Sequence, residues 1–228
     1  MQKTTKGKEE DILFRDIHQY LVNQSRTGEK MDTETQLATR FQVSRYKVRK
    51  ILDQLSQMGV VDRAQKRGMT FAEVTPAVLA HNISEQIAVS AFDVREHFEA
   101  RLSLEREILP LALMRVTPLM LSKMDESLSK LKGCLDVNGA ALKIHTGFHR
   151  QVMEACGNRV LEGFALALLE HWYGLLEQGG ELGASFFSDA LESDLELLRA
   201  IKVGDGQAAE KIVSELLRRE MLCLIESA

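Results

Sequence analysis

The sequence predicts a mainly α-helical protein of two units. Three helices closed by a two-stranded wing come first, and an all-α bundle of six or seven helices follows. Three observations carry this. Apolar residues recur at helical spacing through most of the 228-residue chain. The exceptions are residues 60–64 and 69–74, two short runs of strand character around a basic turn at 65–68. Charge also divides unevenly: residues 1–75 sum to +4 and the remainder to −8, within a total of −4. A basic first third on an acidic body suggests that one part meets a polyanion.

The elements follow in order. Residues 1–10 are charged and patternless, and are expected to be a disordered tail. From 11 to 24, Ile12, Leu13, Ile17, Tyr20 and Leu21 define a helix that gives way to a loop at Gly28. Asp32-Thr33-Glu34 supplies a cap and an early acid for a second helix over 34–41, with Leu37, Ala38 and Phe41 inward. Gln42-Val43 makes a turn, and Ser44 caps a third helix that runs to about Met58 and stops at Gly59. That helix has an apolar face (Val48, Ile51, Leu52, Leu55) and a cationic one (Arg45, Lys47, Arg49, Lys50). Three helices and a wing in this order make a winged helix-turn-helix, the layout of a DNA reader.

The expected winged unit covers residues 11–75. Pro76 opens a linker helix over 76–89, and the all-helical domain fills 90–228. Its long helices are expected at 93–114, 118–135, 138–155, 159–178, 185–202 and 206–227, with breaks at Thr117-Pro118, 136–139, Gly157-Asn158, 179–183 and 204–206. No apolar run is long enough to span a bilayer, and the N-terminus lacks a secretory core. Cys134, Cys156 and Cys223 are few, odd in number and far apart, which fits reduced thiols in the cytoplasm.

The residues resemble the GntR family of bacterial transcription regulators, in the FadR-type subfamily with an all-helical FCD ligand-sensing domain. In the first unit the resemblance rests on Met31-Asp32-Thr33-Glu34, Leu37-Ala38, Val43-Ser44-Arg45, Val48-Arg49, Leu55, Gly59-Val60-Val61 and Arg67-Gly68. In the second it rests on Arg101 with Glu105, Phe148-His149, Gly157-Asn158, and Leu198-Ala200-Ile201 before Gly204-Asp205. It implies a homodimer on a pseudo-palindromic operator, with repression relieved by a small organic acid. The DNA-facing set is Thr33, Thr35, Ser44, Arg45, Lys47, Arg49, Lys50, Lys66, Arg67 and Gly68. Arg45 and Arg49 share one helix face and suit guanine or phosphate, while Lys47 and Lys50 suit phosphate. Thr35 stands where the family usually has Arg, and Lys47 where it often has Pro, so the operator is expected to differ.

The resemblance also implies an effector pocket around Arg101, His145, His149 and Asp194. Many members bind a divalent metal through an Asp and a His four apart, then a His on each of the last two helices. Here those positions read His145, His149, Asp194 and Leu216, so one ligand is lost. Two readings stay open: a three-ligand site for zinc, nickel or iron, or a metal-free pocket. The matching Arg101 would suit an effector carboxylate, or simply pair with Glu105. His171-Trp172-Tyr173 reads as core and pocket wall, and Asn158 as a turn or cap. The His145-to-His149 segment lacks the Glu of a metalloprotease, and no phosphate loop or nucleophile triad is legible. An enzyme is therefore not expected; the alternatives are an effector-independent DNA binder or, less favoured, an active site in the helical domain.

Overall fold

In the computed structural model, the described residues are all but 1, 65–67, 74, 91, 181 and 227–228, and side chains are described outside 1–8 and 63–68. The chain divides into two compact units, Met1–Val74 and Thr75–Ala228.

In the first unit, α1 spans Gln2–Thr27, α2 Glu34–Arg40 and α3 Arg45–Gln57, followed by β1 (Val61–Ala64) and β2 (Gly68–Phe71). The backbone is helical back to Gln2, where a disordered tail was expected over 1–10. Lys3, Lys6, Lys8, Glu9 and Glu10 all favour helix, and a helix already nucleated beyond Asp11 extends at one bond per residue. Ile17, Leu21, Leu37, Val48, Leu52 and Leu55 form the fully buried centre.

A polar clasp fixes α1 to the start of α2. Tyr20 donates to Asp32 at 2.8 Å, Gln24 donates to Tyr20 at 3.1 Å, and the Arg40 guanidinium lies 4.4 Å over the Tyr20 ring. Thr33 caps α2 in a reciprocal box with Gln36. The turn into α3 places Gln42 at φ +53, a left-handed position usually given to glycine. The strands pair antiparallel with Val61 opposite Phe71, and Val61 reaches the core. Strand β2 stops at Phe71, short of the expected 74; one further bond, Ala72 N–H to Val60 O at 3.0 Å, closes the wing.

The second unit holds seven helices among its described residues: α4 (Pro76–Ala88), α5 (Val94–Arg115), α6 (Pro118–Lys132), α7 (Asn138–Glu154), α8 (Arg159–Gln178), α9 (Ala184–Val203) and α10 (Gly206–Glu226). Thr75, Asp93, Thr117 and Asn158 cap α4, α5, α6 and α8 through their side chains. Gly204, at φ +75, ends α9. The α4 segment was expected to be a linker, but it packs along α8 and buries Ala80 completely.

Gly163 makes that packing close: a Cβ there would stand 2.6 Å from Leu79 Cδ2 and 3.1 Å from Leu79 Cβ. Overpacking of this kind costs about 1–3 kcal/mol, against a helix-propensity gain of about 1 kcal/mol from removing glycine. Gly163→Ala is therefore expected to lower the thermal midpoint of the chain. An unchanged or raised midpoint would mean that α4 yields freely.

Candidate functional site

The cationic face of α3 is exposed and pre-ordered. Ser44 accepts from the Lys47 amide at 3.3 Å, so its hydroxyl is engaged in capping, as the Thr33 hydroxyl is on α2. Val48, Ile51, Leu52 and Leu55 face inward, which turns Arg45, Lys47, Arg49 and Lys50 to solvent. The Arg45 and Arg49 side chains are 63% and 57% exposed. Glu34, at the start of α2, grips Arg49 through both carboxylate oxygens, with a shortest contact of 2.8 Å, and lies 3.9 Å from Arg45. Lys50 meets Glu10 at 3.3 Å, and Thr35 is exposed beside Glu34. Gly68 opens β2. Lys66 and Arg67 lie outside the described residues. Sequence reading treated Glu34 only as an early helix acid; that it spans to α3 depends on the angle of the turn.

The second unit brings Arg101, His145, His149 and Asp194 together in its interior. Arg101 comes from α5, the two histidines from α7 and Asp194 from α9; each is at most 2% exposed. The Asp194 carboxylate bridges the imidazoles, reaching His145 Nδ1 at 2.6 Å and His149 Nε2 at 3.1 Å.

Four further residues, Glu105, Trp172, Tyr173 and Glu220, complete the network. Glu220 on α10 is fully buried, one turn beyond Leu216, where the family pattern puts its last ligand. Its Oε1 meets His145 Nε2 and the Tyr173 hydroxyl, both at 3.1 Å. Its Oε2 accepts from Trp172 Nε1 at 2.8 Å and Arg101 Nη1 at 3.2 Å. Glu105 accepts from Arg101 Nε at 2.6 Å, and the guanidinium lies 5.1 Å over the Tyr173 ring. Trp172 and Tyr173 are thus hydrogen-bonding members of the site as well as its wall.

Buried charges persist only when paired and hydrogen-bonded. Burial alone would lower the His145 pKa, but Asp194 and Glu220 outweigh it and raise it to about 10. Burial would raise Glu220, and His145 with Arg101 reverses this, bringing it to about 2. Asp194 is lowered too, because its two histidines overcome the burial that would raise it. Tyr173 is raised well above its ordinary value by burial and by Glu220. Near neutral pH, His145 is an imidazolium held between two carboxylates.

The donor atoms of His145, His149 and Asp194 lie within 4.8 Å of one another. Two imidazoles and a carboxylate on convergent helices fit a borderline divalent cation. Two grooves flank the network. One, of about 310 Å³ between α9 and α10, is lined by Phe186, Ala190, Leu216, Arg219, Glu220 and Leu222. The other, of about 510 Å³ between α7 and α8, has Tyr173 in its lining.

A winged helix-turn-helix joined to a seven-helix unit with a buried histidine–carboxylate centre defines a class of two-part bacterial regulatory proteins. Residues 12–71 match the gntR family of bacterial regulatory proteins, and residues 96–219 match the FCD domain. The chain belongs to the GntR family, in its FCD-containing form. It is 29% identical over 136 residues to the HTH-type transcriptional regulator LutR of Bacillus subtilis (strain 168), covering 59% of this chain and 62% of that protein. It is 26% identical over 163 residues to the uncharacterized HTH-type transcriptional regulator YcbG of the same organism, covering 69% and 66%. The matched segments span less than two thirds of the length of these relatives, 62% and 66%. The solved Streptococcus agalactiae GntR structure shares the fold, with a TM-score of 0.58 at 18% identity over 93% of this chain and 99% of that one.

The charged centre sets a pH window. Glu220 titrates below its ordinary 4.5, so its stabilisation is present above that pH and disappears as pH falls toward 2. His145 titrates above its ordinary 6.5, so its stabilisation is present below that pH and disappears as pH rises through 10. Urea unfolding of metal-free protein is expected to show a stability loss between pH 6.5 and 10 that His145→Asn flattens. A wild-type stability that rises across this interval would contradict the imidazolium.

Proposed function

We propose that the chain is a DNA-binding transcription regulator, acting in the bacterial cytoplasm as a homodimer on a pseudo-palindromic operator. Each α3 enters the major groove of one half-site, and a small-molecule effector at the helical unit relieves repression. The observation that supports it most directly is the exposed, capped α3 face, where Arg45 and Arg49 project together with Glu34 holding them in place. Arginine can meet guanine O6 and N7 with two hydrogen bonds, or clamp phosphate. Lys47, Lys50, Thr35 and the wing residues Lys66, Arg67 and Gly68 are assigned to the phosphate path, and Thr33 and Ser44 to the helix starts beside it. Among the described residues no helix is long and apolar enough to cross a membrane.

Within the helical unit, His145, His149 and Asp194 would hold a divalent cation of the zinc, nickel or iron kind. Such a cation would supply a fixed positive charge for an effector's oxygen donor. Glu220 holds His145 from Nε2 and so fixes the orientation of the ring that Asp194 meets at Nδ1. One observation favours a metal-free site instead: both nitrogens of His145 already meet carboxylates, at 2.6 and 3.1 Å.

Two measurements test these readings. Arg49→Ala should weaken binding to DNA selected from a random library by about 1–3 kcal/mol, roughly 5- to 150-fold, as read by fluorescence anisotropy. Unchanged affinity would remove α3 from the groove. Elemental analysis of untagged protein, purified without chelator, should find one equivalent of a transition metal in the wild type and none in His149→Ala. Wild-type protein free of metal would leave the metal-free pocket.

A further inference from the structure

The Glu220 carboxylate is bound in the way a free organic acid would be bound. It has about four lone-pair sites, and all four are met. Oε1 receives His145 and Tyr173, and Oε2 receives Trp172 and Arg101. These donors come from α5, α7 and α8, while the carboxylate arrives from α10. They are a guanidinium, an indole N–H, a phenol and an imidazole. Arg101 Nη2 makes no hydrogen bond, so the seat still holds one more donor than Glu220 uses. Glu220 also belongs to the lining of the α9–α10 groove while its side chain is fully buried, so shortening it is what would open the seat toward that groove.

We propose that Glu220 is a built-in ligand, occupying from α10 the seat that Arg101, His145, Trp172 and Tyr173 form for a carboxylate. The native chain therefore takes no carboxylate effector at Arg101, and shortening residue 220 creates a site that takes a free one. This replaces the expectation that Arg101 clasps an effector acid. The inference rests on reading the helical unit as the sensing part, and on nothing in the DNA-binding unit.

Glu220→Ala removes a methylene and a carboxylate, the atoms of acetate, and leaves a good helix former in α10. Trp172 is the only tryptophan in the chain and donates to Glu220, so its fluorescence reads the seat directly. The full-length variant is titrated with sodium acetate against sodium chloride at matched ionic strength and without DNA. Emission and melting midpoint are followed together. The expected result is a saturable emission change with a raised midpoint in acetate only, absent from the wild type and from Glu220→Gln, which keeps the side chain in place. If Glu220→Ala does not fold in chloride, folding restored by acetate supports the proposal, and failure in both salts counts against it. Acetate and chloride acting alike on the variant, or saturable acetate binding by wild type or Glu220→Gln, overturns it. DNA affinity is measured separately, so loss of the regulator reading and loss of this one give different results.

Discussion

The helical unit is organised by one imidazole between two carboxylates. His145 meets Asp194 on one nitrogen and Glu220 on the other, so α7 is tied to α9 and α10 through a single ring. Arg101 extends the tie to α5, and Trp172 and Tyr173 extend it to α8. None of these groups can solvate its charge in water, because each is nearly or fully buried. Removing one partner from such a set leaves an uncompensated charge and costs about 3–5 kcal/mol, whereas apolar contacts around it tolerate small shifts. The packing of Phe148, Phe187 and Trp172 supplies stability, and the polar centre specifies which helix faces meet.

This arrangement also suits a sensor. Hydrogen bonds weaken steeply with distance and angle, so a ligand that moves one of five helices disturbs bonds on the others. Regulation requires that the ligand bind two arrangements unequally, and that DNA then alter ligand affinity in return. A centre in which every charged member depends on several helices offers discrete alternatives instead of gradual deformation.

The winged unit was legible because its signals are local. Ser44 and Thr33 are caps within three residues of the amides they satisfy, Gly59 takes a left-handed turn, and the α3 stripe repeats over four apolar positions. Four helix starts of the second unit, capped by Thr75, Asp93, Thr117 and Asn158, were legible for the same reason. What was not legible was the inward aim of Glu220. In Arg218-Arg219-Glu220 it reads as one more charge on an amphipathic helix, and the family pattern drew attention to Leu216 instead. Only the register of α10 against α5 and α8 distinguishes an inward carboxylate from a solvated one. Trp172 and Tyr173 were placed correctly in the interior, but their polar tips acquire partners only once α10 is docked. The helicity of residues 2–10 was missed because charged residues without an apolar stripe carry no periodic signal.

If α3 enters the groove as proposed, Glu34 has a consequence for affinity. In the free protein its carboxylate already satisfies Arg49 twice and stands near Arg45. An arginine leaving this partner for DNA therefore exchanges one charged acceptor for another, and its gain is the difference between them. A base edge offering two aligned acceptors returns more in that exchange than a single misplaced acceptor does. On the reading that α3 meets DNA, the cost of leaving Glu34 is the same at every site and cancels from the ratio of two affinities, so a carboxylate at the start of α2 lowers affinity overall and leaves the choice among sequences to the base edges themselves.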